Sequence, residues 1–359
     1  SPYVGPWGKN EKIHFLRRLQ FGVTPADVNA LSGLSVSQAV STFVNATPTT
    51  PTPPLNFYDM IYPDPTGVGP GNTWINAVYG DGTLNYYRKL SVKAWWMQNI
   101  SAQNQSIHEK MVVFWHNFFA VEFNVVDDAR LYYRYLALLR THALGNYKVF
   151  LKEITLNPAM LFYLNGHYNI KNSPDENYAR ELQELFTVGK GPSMWTEDDV
   201  KEAAKVLTGF RVDMNTMTTN FMPSQHETGN KVFTSFYNTT INGLSGAAGA
   251  TELDSLLDMI LSKDQLVAKH VCRRLYRFFV YYDIDATIES TIIDGLAQTF
   301  INSNWDIKPV LEQLFNSDHF FDSLMQDCYI RTPIDYFLGM KRSLKIEIDT
   351  TTLENEYIS

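Results

Sequence analysis

Ser106-Ile107-His108-Glu109-Lys110-Met111-Val112-Val113-Phe114-Trp115-His116-Asn117-Phe118-Phe119 is the stretch on which the fold turns. Its apolar residues recur at three- and four-residue spacing, the period of a helix with one side in a core. Met111, Val112, Phe114, Trp115, Phe118 and Phe119 share the apolar arc, which leaves His116 and Asn117 on a narrower polar arc with Glu109 and Lys110. The same period extends outward. Ser91 to Asn99 precedes it, Asp127 to Leu144 follows and stops at Gly145, and helical spacing returns from Glu252 to Phe279 and from Ile288 to Phe315. Start signals agree. Thr24-Pro25, Asn157-Pro158 and Ser173-Pro174 each set a capping side chain before a proline, which has no N–H to lose at the first helical position. Thr196-Glu197-Asp198-Asp199 opens a further helix that stops near Gly209.

Two regions break the pattern. From Thr47 to Gly82 the chain is rich in Pro and Gly, a composition that defeats both helix and central strand. It reads as a long loop of the domain rather than a linker, because Phe57, Tyr58, Tyr62 and Trp74 have apolar surface to bury, and long loops of this kind are often functional. Residues 210–243 carry β-formers around Phe210-Arg211-Val212 and Lys231-Val232-Phe233, which predicts a small β-hairpin excursion. The expected architecture is mainly α: one multi-helix domain over residues 1–359, with the C-terminal segment reading as the start of something longer.

The chain has 359 residues and a formal net charge of −8. Lacking any Lys/Arg cluster, it carries no electrostatic footprint for nucleic acid or an anionic membrane, and no apolar run reaches the ~20 residues of a membrane span. The 14% aromatic and 19% charged content describes a surface suited to uncharged, hydroxyl-rich ligands. Cys272 and Cys328 allow one bridge at most.

The densest polar cluster is Asp175-Glu176-Asn177-Tyr178-Ala179-Arg180-Glu181-Leu182-Gln183-Glu184. On a helix, Glu176, Asn177, Arg180, Glu181 and Glu184 fall within an arc of about 140°, opposite Tyr178, Leu182, Leu185 and Phe186. Such a face can divide acid/base, orienting and ligand-holding roles. The structural alternative is equally direct: Ser173-x-x-Glu176 has capping-box spacing, and Glu176/Arg180/Glu184 are spaced as ion pairs. His116, with aromatic flanks, reads either as a solvated side chain or as part of a pocket. His226-Glu227 with Gly229 and Lys231 lies in the excursion, where an ordinary turn is the alternative. Other motifs fail. His108-Glu109 lacks the second histidine of a zinc-protease helix because Val112 stands there, and Gly243-Leu244-Ser245-Gly246-Ala247 lacks the last glycine of a nucleophile elbow. A mixed His/Glu site across helices leaves room for a divalent metal ion.

Phe15-Leu16-Arg17-Arg18-Leu19-Gln20-Phe21-Gly22, Phe114 to Phe119, Asn157 to Asn165, Glu176 to Gly189, Leu207-Thr208-Gly209-Phe210 and His226-Glu227-x-Gly229-x-Lys231 resemble, in this order, the bacterial family catalogued as domain of unknown function 1800. The resemblance runs from about residue 11 to about residue 340, with the Glu-Asn-Tyr-Ala-Arg-Glu-Leu block its most specific part. Members usually have Asp where this chain has Glu227. The resemblance implies an extracytoplasmic setting and a site that draws on the Glu176 to Glu184 face, His116 and His226; it supplies no reaction.

The leading expectation is a hydrolase or lyase-like enzyme acting on a polar polymer such as a polysaccharide. Glu181 and Glu184, with His116, would carry acid/base catalysis, while Glu176, Asn177, Arg180 and His226 would hold substrate. The competing expectation is a non-catalytic surface or assembly subunit of an envelope complex, with an envelope protein as partner and the same face as a structural ion-pair network.

Overall fold

A computed structural model describes residues 1–103, 105–326 and 330–346. The chain opens with α1 (Lys9–Leu19), α2 (Pro25–Ala30) and α3 (Val36–Val44). After the long loop come α4 (Gly82–Ser101), α5 (His108–Phe118), α6 (Ala129–His142), α7 (Tyr147–Thr155), α8 (Pro158–Tyr163), α9 (Asn177–Glu184) and α10 (Glu197–Val206). Two antiparallel pairs follow, β1 (Phe210–Asp213) with β2 (Thr218–Phe221) and β3 (Lys231–Val232) with β4 (Thr240–Ile241). The chain then returns to helix with α11 (Glu252–Leu261), α12 (Asp264–Phe279) and helices at Asp294–Asn302, Ile307–Phe315 and Pro333–Ser343. The architecture is mainly α, and the β-excursion falls where the β-formers predict it. Cys272 is buried in the core, and Cys328 lies outside the described residues.

Local signals place most of the starts. Thr24 and Asp27 form a capping box on α2, with Pro25 in its first turn, and Asn157 caps α8 ahead of Pro158. Asp199 does two jobs for α10: it accepts from Thr196 N at 2.8 Å within the cap, and from Thr234 N at 2.7 Å, anchoring the excursion. Ser173-Pro174 does not start a helix. Ser173 pairs with Ile170 in an isolated bridge, and Asp175 Oδ1 instead accepts from Asn177 N at 2.9 Å, so α9 begins three residues later. The helical stretches read as single runs are also divided: α11 and α12 part at Ser262-Lys263, and the last is broken where Asn304 and Trp305 adopt positive φ.

The core is helix packed on helix. Trp115 on α5 meets Tyr147 and Phe150 of α7, and Phe118 meets Phe186 beyond α9. The two ends of the chain close together: His14 Nε2 lies 2.8 Å from Phe320 O, and Arg18 donates to Val280 O. Gly22, at φ +76°, is required where it stands, because a Cβ there would lie 2.5 Å from the Gly339 carbonyl oxygen.

The long loop gathers around a buried cation. Arg88 of α4, fully buried against the Trp74 ring, donates to Asp64 at 3.0 Å, Thr66 Oγ1 at 2.8 Å, Tyr58 Oη at 3.2 Å and Val78 O at 2.7 Å. Backbone that cannot form ladders is satisfied by side chains instead. Tyr58 and Trp74 are therefore core residues rather than ligand-facing aromatics.

Candidate functional site

On α9 the expected polar arc forms. Tyr178, Ala179, Leu182 and Gln183 are buried, and Glu176, Asn177, Arg180, Glu181 and Glu184 lie on the partly open side. Leu185 falls just past the helix and is exposed rather than part of the apolar arc. Arg180 grips Glu197 at the start of α10 with two parallel bonds of 2.6 Å, and reaches Glu176 one turn back at 3.4 Å. That carboxylate fork raises the Arg180 pKa and lowers that of Glu197. Glu184 pairs loosely with Lys190 at 3.4 Å. Glu181 and the Asn177 side chain have no hydrogen-bond partner among the described residues. Partial burial, reinforced by neighbouring Glu184, raises the Glu181 carboxyl above its ordinary range.

His116 is not a solvated side chain. Its ring packs on Trp96 and Tyr135, and Nε2 lies 2.9 Å from Tyr132 Oη. Burial draws its pKa down to about 4, so the ring is neutral at pH 7. Two more residues of the α5 polar arc are covered, while Asn117 is exposed: Glu109 pairs with Arg140 of α6, and Lys110 with Asp335 of the Pro333–Ser343 helix.

His226 is buried in a different place. Nδ1 lies 2.9 Å from Thr208 O, and Nε2 sits 3.1 Å from Glu252 Oε1, off the line of a good hydrogen bond. Glu252 opens α11 and also accepts from Lys231 at 2.5 Å and from Leu244 N at 2.6 Å. A Cβ on Gly249 would come within 2.6 Å of the His226 ring, which closes the remaining side. His226 and Lys231 of the His-Glu-x-Gly-x-Lys motif thus converge on Glu252, and the group holds the excursion to α10 and α11. Glu252 was absent from the sequence reading, since nothing marks one helix-opening carboxylate among many.

The predicted residues therefore separate into three places. No hydrogen bond, ion pair or ring contact joins His116, Glu181 and His226 among the described residues. Nor do any three His, Cys, Asp or Glu side chains gather there as a metal ion requires. Sequence reasoning also missed an open cleft of about 710 Å³ between the end of the long loop, the α5–α6 connection, Tyr168 and the β1–β2 turn. The run Asn76-Ala77-Val78-Tyr79 was its one visible sign, and that run reads as loop.

A family model described as a protein of unknown function (DUF1800) matches residues 14–357. The chain belongs to this family. The match covers every candidate site residue, from His116 to His226. No curated protein and no solved structure matches the chain. Among the described residues no helix is long and apolar enough to cross a membrane.

Proposed function

We propose that the protein is a non-catalytic component of the bacterial cell envelope that holds a polar polymer such as a polysaccharide, with the charged face of α9 acting as a link to α10. One observation carries the reading: Arg180, the cation that α9 places on that face, commits its guanidinium to Glu197 and Glu176 rather than to orienting a substrate. That the side-chain contacts of His116 and His226 are made with residues other than those of α9 supports it, because proton transfer needs groups within hydrogen-bond reach.

A second reading, a hydrolase or lyase-like enzyme, is favoured by Glu181, an unpaired carboxyl whose pKa is raised in the direction a general acid needs. Incubation with insoluble cellulose, chitin and cell-wall glycan separates the two. The proposal expects retention of the protein on at least one polymer, with no new reducing ends or unsaturated products. Product release abolished by Glu181→Gln would establish the enzyme and overturn the proposal, as would absence of retention on all three.

A further inference from the structure

We infer that the 710 Å³ cleft beside the β1–β2 turn is the binding site for a neutral, hydroxyl-rich chain such as an oligosaccharide. The inference rests on the polymer-holding reading above and gives it a place. The volume lies in the range of ligand pockets, about 300–1,000 Å³. Four of the chain's exposed large apolar side chains, Val78, Val125, Tyr168 and Met214, meet here from four separate segments. Exposed apolar surface gathered from distant segments into one concavity is the usual mark of a binding site.

The walls are preformed although one of them has no regular structure. Arg134 donates to Ile75 O and to Asn76 Oδ1, both at 2.9 Å; Arg130 donates to Ala77 O at 2.8 Å, and Arg88 to Val78 O at 2.7 Å. Three arginines from two helices thus fix consecutive parts of the rim, which removes ordering cost from binding.

Charge selects the ligand class. Arg130, the cation that lines the cleft, is also chelated by Asp128, at 2.7 Å from Nη2 and 3.0 Å from Nε, so an anion would find no unpaired positive partner. Asp127 takes Lys89 and Asn85 on Oδ1, while its Oδ2 has no partner among the described residues. Nor do the Tyr168 hydroxyl and the Asn215 amide have one among them. The cleft therefore offers a carboxylate oxygen, a phenol and an amide, set beside aromatic and aliphatic walls that include Tyr79 and Phe162. Sugar hydroxyls satisfy the former, and the C–H faces of pyranose rings cover the latter. A purely apolar peptide would bury the same polar ends unpaired, which is costly.

The test is isothermal titration with hexasaccharides of β-1,4-glucose, α-1,4-glucose and β-1,4-N-acetylglucosamine. At least one binds the parent protein, with an affinity insensitive to salt. Tyr168→Ala and Asn215→Ala, both at surface positions, each weaken it about tenfold or more. Tyr282→Ala, an exposed tyrosine remote in sequence, leaves it unchanged. Binding that survives both cleft variants overturns the cleft assignment and leaves polymer binding standing. Failure of all three sugars also overturns the assignment, whereas retention on the insoluble polymers decides the broader reading by itself.

Discussion

Helices α5 and α9 look alike in sequence and differ in where their charges end up. Each has an apolar arc, and each sets acidic, basic and amide or imidazole side chains on the other. On α5 the charged part of the second arc is roofed over: Glu109 and Lys110 are almost fully buried, and each meets an opposite charge from a distant segment. On α9 the arc stays at the surface, and the Arg180 and Glu176 side chains remain about a third exposed, at 31% and 37%. A buried ion pair is costly to break because the survivor is stranded in a poor dielectric, whereas an exposed pair is worth little. The two helices should therefore respond to loss of charge with different size and, in one case, different sign.

The largest effect falls on Lys110. Lys110→Met removes one member of a buried ion pair with Asp335 and should destabilise the protein by ~3–5 kcal/mol in chemical denaturation. Adding Asp335→Asn should recover part of that loss, because the carboxylate whose charge Lys110 balanced is then neutral as well. If Lys110→Met is as stable as the parent, the roof over α5 does not depend on this pair, and the contrast with α9 collapses.

His116 gives the next effect, and it appears as a slope in pH. Its pKa falls from 6.5 to about 4 on folding, so the unfolded chain binds the proton more readily. The associated stability is present in full above pH 6.5 and is lost as pH drops toward 4, about 3 kcal/mol over that window. Burial likewise draws His270 down to about 4 and lowers His167 and His319, so the parent slope contains all four histidines. His116→Gln, which still offers Tyr132 a partner, should flatten part of the slope in urea titrations between pH 7 and 4. An unchanged slope would show that the α5 imidazole titrates as freely as an α9 side chain.

What the sequence discloses and what it hides follow from distance along the chain. The caps at Thr24, Asn157 and Thr196 are legible because donor and acceptor lie within three residues. The roof over α5 is not, since Lys110 finds its partner at Asp335 and Glu109 finds its own at Arg140. Periodicity says that an arc is polar, not whether another helix covers it. The aromatic loop residues show the same limit: that Tyr58 and Trp74 have surface to bury is legible, but not that Arg88 of α4 gathers the loop around itself. His226 and Lys231 are visible as a motif, but the carboxylate that explains them is Glu252 on another element. The cleft was hidden most completely, because four segments build it and none carries a pattern of its own.

The smallest effect is the one that fixes the sign of the comparison. The Glu181 pKa is raised by burial and by Glu184, so the folded protein holds this proton more tightly than the unfolded chain does. The stability linked to it is complete below the ordinary carboxyl range, near 4.5, and is lost as pH rises through the raised folded value. Glu181→Gln imitates the protonated form permanently. It should raise the melting temperature at pH 7 by about 1–2 °C, an effect kept small because solvent screens a partly open group. By pH 4, where the parent carboxyl is itself protonated, the difference should vanish. Lys110→Met costs stability because it breaks a buried ion pair, whereas Glu181→Gln returns some because it removes a charge that has no partner among the described residues. A drop of several degrees at every pH would instead place Glu181 in a network like that of α5, making α9 a second roofed helix.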